Sequence, residues 1–442
     1  MSKTALLFAA LFFGGLAGAI LHPIYPLLAY LVDYYQHPPL RWWGKDFPSG
    51  IRWSLLASLL MLGATMLHGK IPLSRDTLRH VPVRSLLLLV VIAALVTPFA
   101  VAVDRSVHYL ELLLQLSVLV LVMVVTLDSP KHWRWAVLVM TLGSFTWGFD
   151  AWLDPERVAG RLQAIGGPDS FNDNSAAVHL LAMLPFIAVM GVYGSRVERV
   201  VALVSFPFVV NTIILCNSRG ATLAMACMGL AGILLTRGRQ RRGLIGLSAA
   251  GLVAFLFLAD PEFLDRQATL FSEERDGSSQ GRLTSWAGAI ELMKDYPLGA
   301  GGGGFDVLSP VYIPEIVAAY DGAERAVHNT FLWVGSDWGF AGLAAYCIFL
   351  FGPIVSLQRA RRRAHDVRTN MEGVAVQAAI IGIAVGGVFI NRTYGEIMYW
   401  VPALGIALVN LIDARAVEPD VLVPPADEGA TVVEPPTMAH PA

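Results

Sequence analysis

Charged residues are scarce in this chain. Asp, Glu, Lys and Arg together make up 15% of its 442 residues, where a soluble domain carries about a quarter. That scarcity excludes an ordinary soluble globular protein. Cysteine is scarce too: Cys216, Cys227 and Cys347 lie in or beside apolar runs, at spacings that make neither a metal site nor a disulfide framework. The net charge of −2 leaves no basic excess, and no nucleic-acid partner is expected. Short segments of alternating polarity, the mark of a membrane β-barrel, are absent.

Apolar residues fill the space instead. They form 55% of the chain and come in blocks of about 15 to 25, enough to cross a hydrocarbon core roughly 30 Å thick. The expected fold is all-α, a polytopic helical membrane protein of about twelve transmembrane helices. Spans are expected at 4–21, 22–36, 51–68, 85–103, 108–127, 133–150, 174–194, 200–216, 219–236, 243–259, 329–357, 372–391 and 397–412. The first two are separated only by His22-Pro23, and whether they make one crossing or two is open. Ala17-Gly18-Ala19 has the small residues of a cleavage site, but more membrane-like sequence follows, so a cleaved signal peptide is rejected.

Three basic stretches, at 69–84, 237–243 and 359–368, fall on one side of this span order, as cytoplasmic loops do. The catalytic or transport unit is then residues 1–412, with a disordered cytoplasmic tail at 413–442. Two polar segments, 151–173 and 260–327, face the other way. The larger holds twelve acidic residues and five basic ones, Arg266, Arg275, Arg282, Lys294 and Arg325. Within it, Leu283, Trp286, Ala287, Ile290 and Met293 recur at helical spacing, which predicts a short interfacial helix opening at Arg282 and ended by Pro297. The run Gly301–Gly304 is either a linker or a place where backbone amides approach an anion.

The candidate site residues stand on this second side. Arg219, flanked by Ser218 and Gly220, opens an apolar span, either as a headgroup anchor or as an anion ligand. Arg161 lies in a polar loop whose other members, Ser170, Asn172, Asp173 and Asn174, are helix-start types. Arg282 begins the interfacial helix. His328 and Asn329 stand at the lip of the span that starts near 329, where a histidine serves as a structural hydrogen bonder or as a base. Their convergence favours chemistry. Guanidinium forks match phosphate oxygens, and imidazole takes a proton near neutral pH. Outside the cytoplasmic membrane a group transfer must draw on a bond already in its substrate, and a lipid-linked diphosphate sugar provides one. No outward aspartate pair of metal-binding type stands out, so arginines rather than a metal would hold the diphosphate. Internal repeats and charged midspan helices, the signs of a transporter, are not evident.

The stretch "GRLTSWAGAIELMKDYPLGAGGGGF", followed by "HNTFLWVGSDWGFAGLAAY" and preceded upstream by "NSRGATLA", resembles the bacterial O-antigen ligase and polymerase superfamily. The resemblance covers about 160–350. It implies a membrane glycosyltransferase of GT-C-like architecture in the bacterial inner membrane, with its active site facing the periplasm and no cofactor or metal. It implies an undecaprenyl-diphosphate-linked glycan as donor and, for a ligase, a sugar hydroxyl of lipid A–core as acceptor. A second lipid-linked glycan, in a polymerase, or a protein hydroxyl would ask for the same chemistry. By motif match His328 takes the acceptor-activating role and Arg219 and Arg282 the diphosphate. Arg161 joins them from its loop position, and Asn329, Ser218 and Trp286 are candidate supporting residues.

Overall fold

The computed structural model describes residues 1–158, 161–170, 172–258, 277–364 and 366–417. Its first two helices, α1 (Lys3–Ala17) and α2 (Ile24–Gln36), form an antiparallel hairpin. Small residues let them close: a Cβ on Gly15 would meet Ala29 Cβ at 2.8 Å. The N-terminus returns to the turn after α2, where Ser2 N donates to Asp46 Oδ2 at 2.6 Å. The stretch before residue 37 is thus two helices.

Then follow α3 (Trp53–Leu67), the single turn α4 (Arg75–Leu78), α5 (Val81–Val96), α6 (Val103–Thr126), α7 (Pro130–Leu153), α8 (Asp173–Tyr193), α9 (Arg196–Leu215), α10 (Arg219–Leu235) and α11 (Gly238–Leu258). The polar segment before α8 holds one small ladder, β1 (Arg157–Val158) antiparallel to β2 (Arg161–Leu162), the only sheet among the described residues. After α11 come α12 (Gly277–Asp295), α13 (Gly304–Tyr312) and α14 (Pro314–Ala318), and then α15 (Thr330–Ala360), α16 (Val367–Gly387) and α17 (Ile397–Val417). The last helix runs past the expected end of the spans, so Asp413–Val417 are helical; the rest of the expected tail lies outside the described residues.

Nine helical segments among the described residues are long and apolar enough to cross a bilayer: α1, α5 to α9 and α15 to α17. The expected spans also counted α2, α3 and α10, which have 13, 15 and 17 residues, and α11, whose 21 residues open on a basic run. At 1.5 Å per residue a 13-residue helix reaches only about 20 Å, so α2 alone falls short of a full crossing. The apolar windows of α16 and α17 are 83% buried against 22% for α1, which makes the last two helices the centre of the bundle and α1 its periphery.

The three basic stretches gather on one face, as expected. Arg361 Nη2 donates to Leu235 O at 3.0 Å, tying the α15–α16 loop to the end of α10. Arg79 Nη2 reaches Asn410 Oδ1 at 2.9 Å, and Arg363 Nη2 reaches Asp413 Oδ1 at 2.6 Å, both on the last turns of α17. The β ladder, α12 to α14 and the turn between α16 and α17 lie at the opposite ends of these helices.

Candidate active site

His328 occupies the left-handed region, with φ of 54°, a conformation uncommon for non-glycine residues that its surroundings hold in place. The enforcement comes from the next two residues. Asn329 caps α15, its Oδ1 accepting from Phe331 N at 3.0 Å and Leu332 N at 3.1 Å. Its own N–H donates to Asn391 Oδ1 at 3.1 Å. Thr330 Oγ1 donates to Ile390 O at 2.8 Å and accepts from Arg392 N at 3.0 Å. The lip carrying His328 is thus stapled to the turn between α16 and α17. The imidazole is partly buried, and burial, then the cations of Arg282 and Arg325, hold it down to about 4. It is neutral at physiological pH, as a base must be.

Arg282 lies in the second turn of α12, five residues after the helix starts, rather than at its opening. The helix forms where the apolar spacing predicts it, but the buried face is different. Ser285, Ala289, Leu292 and Met293 are buried, whereas Leu283 and Ile290 are exposed. The reason is docking through glycine. A Cβ on Gly288 would meet Ile313 Cγ2 at 2.6 Å, and one on Gly335 would meet Met293 Cε at 2.5 Å, so these contacts set the rotation of α12. Its outward Leu and Ile then form a second apolar stripe, as an interfacial helix has. Trp286, one turn after Arg282, packs on Phe389 with ring centroids 6.1 Å apart. Its buried Nε1 has no hydrogen-bond partner, which leaves a donor beside the site.

Phe389 also receives the start of α10. A Cβ on Gly220 would meet Phe389 Cβ at 2.9 Å, so the glycine after Arg219 lets α10 close on that ring. Ser218 is the N-cap, accepting from Ala221 N at 3.3 Å, and Arg219 is the first helical residue. One short turn, Phe389 to Arg392, therefore touches the Arg219 segment, the Arg282 helix and the His328 lip. Ser218 and Asn329 enter as helix caps that orient their neighbours. Arg161 is placed only through its backbone: it pairs with Val158 in the ladder on the same side of the bundle, and its side chain lies outside the described residues.

The glycine run does gather its amides on an acceptor, but the acceptor belongs to the protein. Gly303 N and Gly304 N both donate to Asp337 Oδ1, at 3.0 and 3.3 Å, and Gly302 N donates to Ser106 Oγ at 3.0 Å. Those amides are spent on fixing the loop rather than offered to a substrate. Gly301 has φ of 88°, and a Cβ there would meet Ala100 Cβ at 2.1 Å, so no other residue fits. The loop seats on the kink of α15 at Gly339, whose φ is 69°.

A family model described as O-antigen ligase matches residues 203–347, about one third of the chain, from α9 through the first half of α15. That segment contains Arg219, Arg282, the glycine run and His328. Residues 203–347 are thus similar to the O-antigen ligase family. No curated protein matches the chain.

Two features around the matched segment escaped sequence reasoning. Arg325, noticed only as one of five outer cations, stands three residues before His328 and stacks on Tyr320, its guanidinium carbon 3.8 Å from the ring centroid. Arg392 lies outside the matched segment and is 2% exposed. Its signal was available: an arginine in the short connection between the last two spans, on the side poor in cations. Among the described residues one group, His22, Asp128 and His132, has ligand atoms close enough for a metal ion. It sits on the basic-loop face, remote from His328 by the length of the helices, and Asp128 there is already bonded by Lys70.

Proposed function

We propose that the protein is an O-antigen ligase that transfers glycan from undecaprenyl diphosphate to a sugar hydroxyl of lipid A–core at the periplasmic face of the inner membrane. The observation that carries this reading is the gathering of a neutral, conformationally enforced His328 with Arg282 and Arg325, on the same turn that receives the Arg219 helix start. In the proposed step His328 takes the proton of the acceptor hydroxyl, and the oxygen attacks the anomeric carbon. The bond from that carbon to the diphosphate oxygen breaks, and undecaprenyl diphosphate leaves with the electron pair. Its charge is met by Arg219, Arg282 and Arg161, with no metal ion. A single displacement inverts the anomeric configuration. The basic-face loops lie in the cytoplasm by the positive-inside rule, which supports the periplasmic placement of His328.

The test is the lipopolysaccharide pattern of a strain that lacks the protein, complemented with wild type or His328→Ala. Loss of the whole ladder with lipid-linked polymer retained, unrestored by His328→Ala, supports a ligase with His328 as base. A single-repeat band instead makes the protein a polymerase. A normal ladder with stably inserted His328→Ala removes the base.

A further inference from the structure

Arg392 binds two loops that meet nowhere else among the contacts just described. On its main-chain side, the turn holds the residues that follow His328: Arg392 N donates to Thr330 Oγ1, Thr393 Oγ1 donates to Thr330 O at 3.3 Å, and Asn391 Oδ1 receives Asn329 N. On its side-chain side, the guanidinium reaches the loop that follows β2. Nη1 donates to the carbonyl of Asp169 and lies 3.5 Å from its Oδ1, and Nη2 donates to Ser170 Oγ at 2.9 Å. The Asp169 carboxylate is saturated in turn. It accepts from the Tyr34 hydroxyl and from Glu396 N at 2.6 Å. Burial works against the Asp169 charge, yet Arg392 and Tyr34 hold its carboxyl below the usual range. The turn makes room for the fork: a Cβ on Gly395 would meet Arg392 Nε at 2.5 Å.

A pair whose only task is to hold helices together needs no such bifurcation. Arg392 couples the segment that begins with Arg161, through Asp169 and Ser170, to the lip that ends with His328, through Thr330. We propose that Arg392 is a positioning residue that sets the outer loop of Arg161 and the lip of His328 in register, so that the donor's diphosphate and the acceptor's base are placed by one anchor. This rests on the reading of His328 as base and Arg161 as a donor ligand. A charge pair this deeply buried is damaged more by removal of one partner than of both, because the survivor is left uncompensated. That asymmetry separates placement from mere stability.

The experiment uses the full-length protein in lipid nanodiscs, with lipid-linked donor and lipid A–core acceptor. Three variants are compared: Arg392→Lys, Arg392→Met, and Arg392→Met combined with Asp169→Leu. Melting temperature, kcat, donor KM and amide hydrogen exchange are measured for each. Placement by Arg392 requires the double variant to recover most of the melting temperature lost by Arg392→Met while kcat stays about 10²-fold low, the cost of misplacing a reacting group by about 1 Å. Arg392→Lys, which keeps charge but not the fork, should keep the melting temperature and lose activity by at least about tenfold. In both, exchange should rise together at 163–170 and at 324–330. Wild-type kcat and KM in the double variant would overturn the proposal, as would loosening of only one of the two segments. If Arg392→Met does not fold, Arg392→Lys carries the same decision. The exchange readout does not depend on the chemistry: coupled loosening with an active His328→Ala enzyme would remove the base reading and leave the register function standing.

Discussion

A base whose conjugate acid is held down to about 4 is protonated only in acid, but it is also a weak base. On the proposed reading, the donor would offset part of this. Burial first, and then the cations of Arg282 and Arg325, oppose protonation of free His328. A bound diphosphate would bring negative charge against the same guanidiniums. One net charge within roughly 6 Å, at an effective dielectric of about 20, is worth about 3 kcal/mol, or about two pH units. The imidazole would then rise from about 4 towards its ordinary value once the donor is seated. The pH dependence of kcat/KM reports the free enzyme and that of kcat the substrate complex. The sign follows from the proposed reading: if His328 acts as the base, activity needs it neutral, so each profile falls as pH drops through the relevant value. We expect the acid limb of kcat/KM at about pH 4 and that of kcat about two units higher. Arg282→Gln should move the limb of kcat/KM upward, because a cation opposing protonation is gone. Initial rates of glycan transfer, measured in nanodiscs between pH 4 and 8, decide the matter. Coincident acid limbs for kcat and kcat/KM, or a limb of kcat/KM that Arg282→Gln leaves in place, would refute the idea that donor and imidazole share these arginines.

Arg219→Lys and Arg282→Lys should each lose most transfer activity, and the double variant should lose less than the product of the two, because both forks act on one leaving group; wild-type rates in both single variants would return them to headgroup anchoring. Chelation by EDTA should leave the transfer rate of purified protein unchanged, and restoration of a lost rate by Mg²⁺ or Mn²⁺ would count against arginine-only catalysis. Gly301→Ala should lower the melting temperature, since its Cβ would press Ala100 Cβ at 2.1 Å in a left-handed backbone; an unchanged melting temperature would show that the loop of α6 gives way. Asp337→Ala should act in the same direction by orphaning the amides of Gly303 and Gly304, with circular dichroism melts as the check.

The local features of this protein were legible in the chain alone. Apolar blocks marked the helices, the basic runs at 69–84, 237–243 and 359–368 did share a face, and among the helix-start types before α8 Asn172 is the cap. The Arg219, Arg282 and His328 motifs fall in the segment that the O-antigen ligase family model matches. Each of these signals lies within a few residues of what it determines. Tertiary structure alone decided the rest. Asp169 and Arg392 are 223 residues apart, and no local pattern announces such a pair. The glycine run read equally as a linker or an anion cradle until Asp337 arrived from α15 to take its amides. The rotation of α12 was not legible because a helix at a membrane surface has apolar residues facing both protein and lipid. Hydrophobicity separates inside from outside only where the outside is water, so here glycine contacts, at Gly288 and Gly335, chose which stripe was buried.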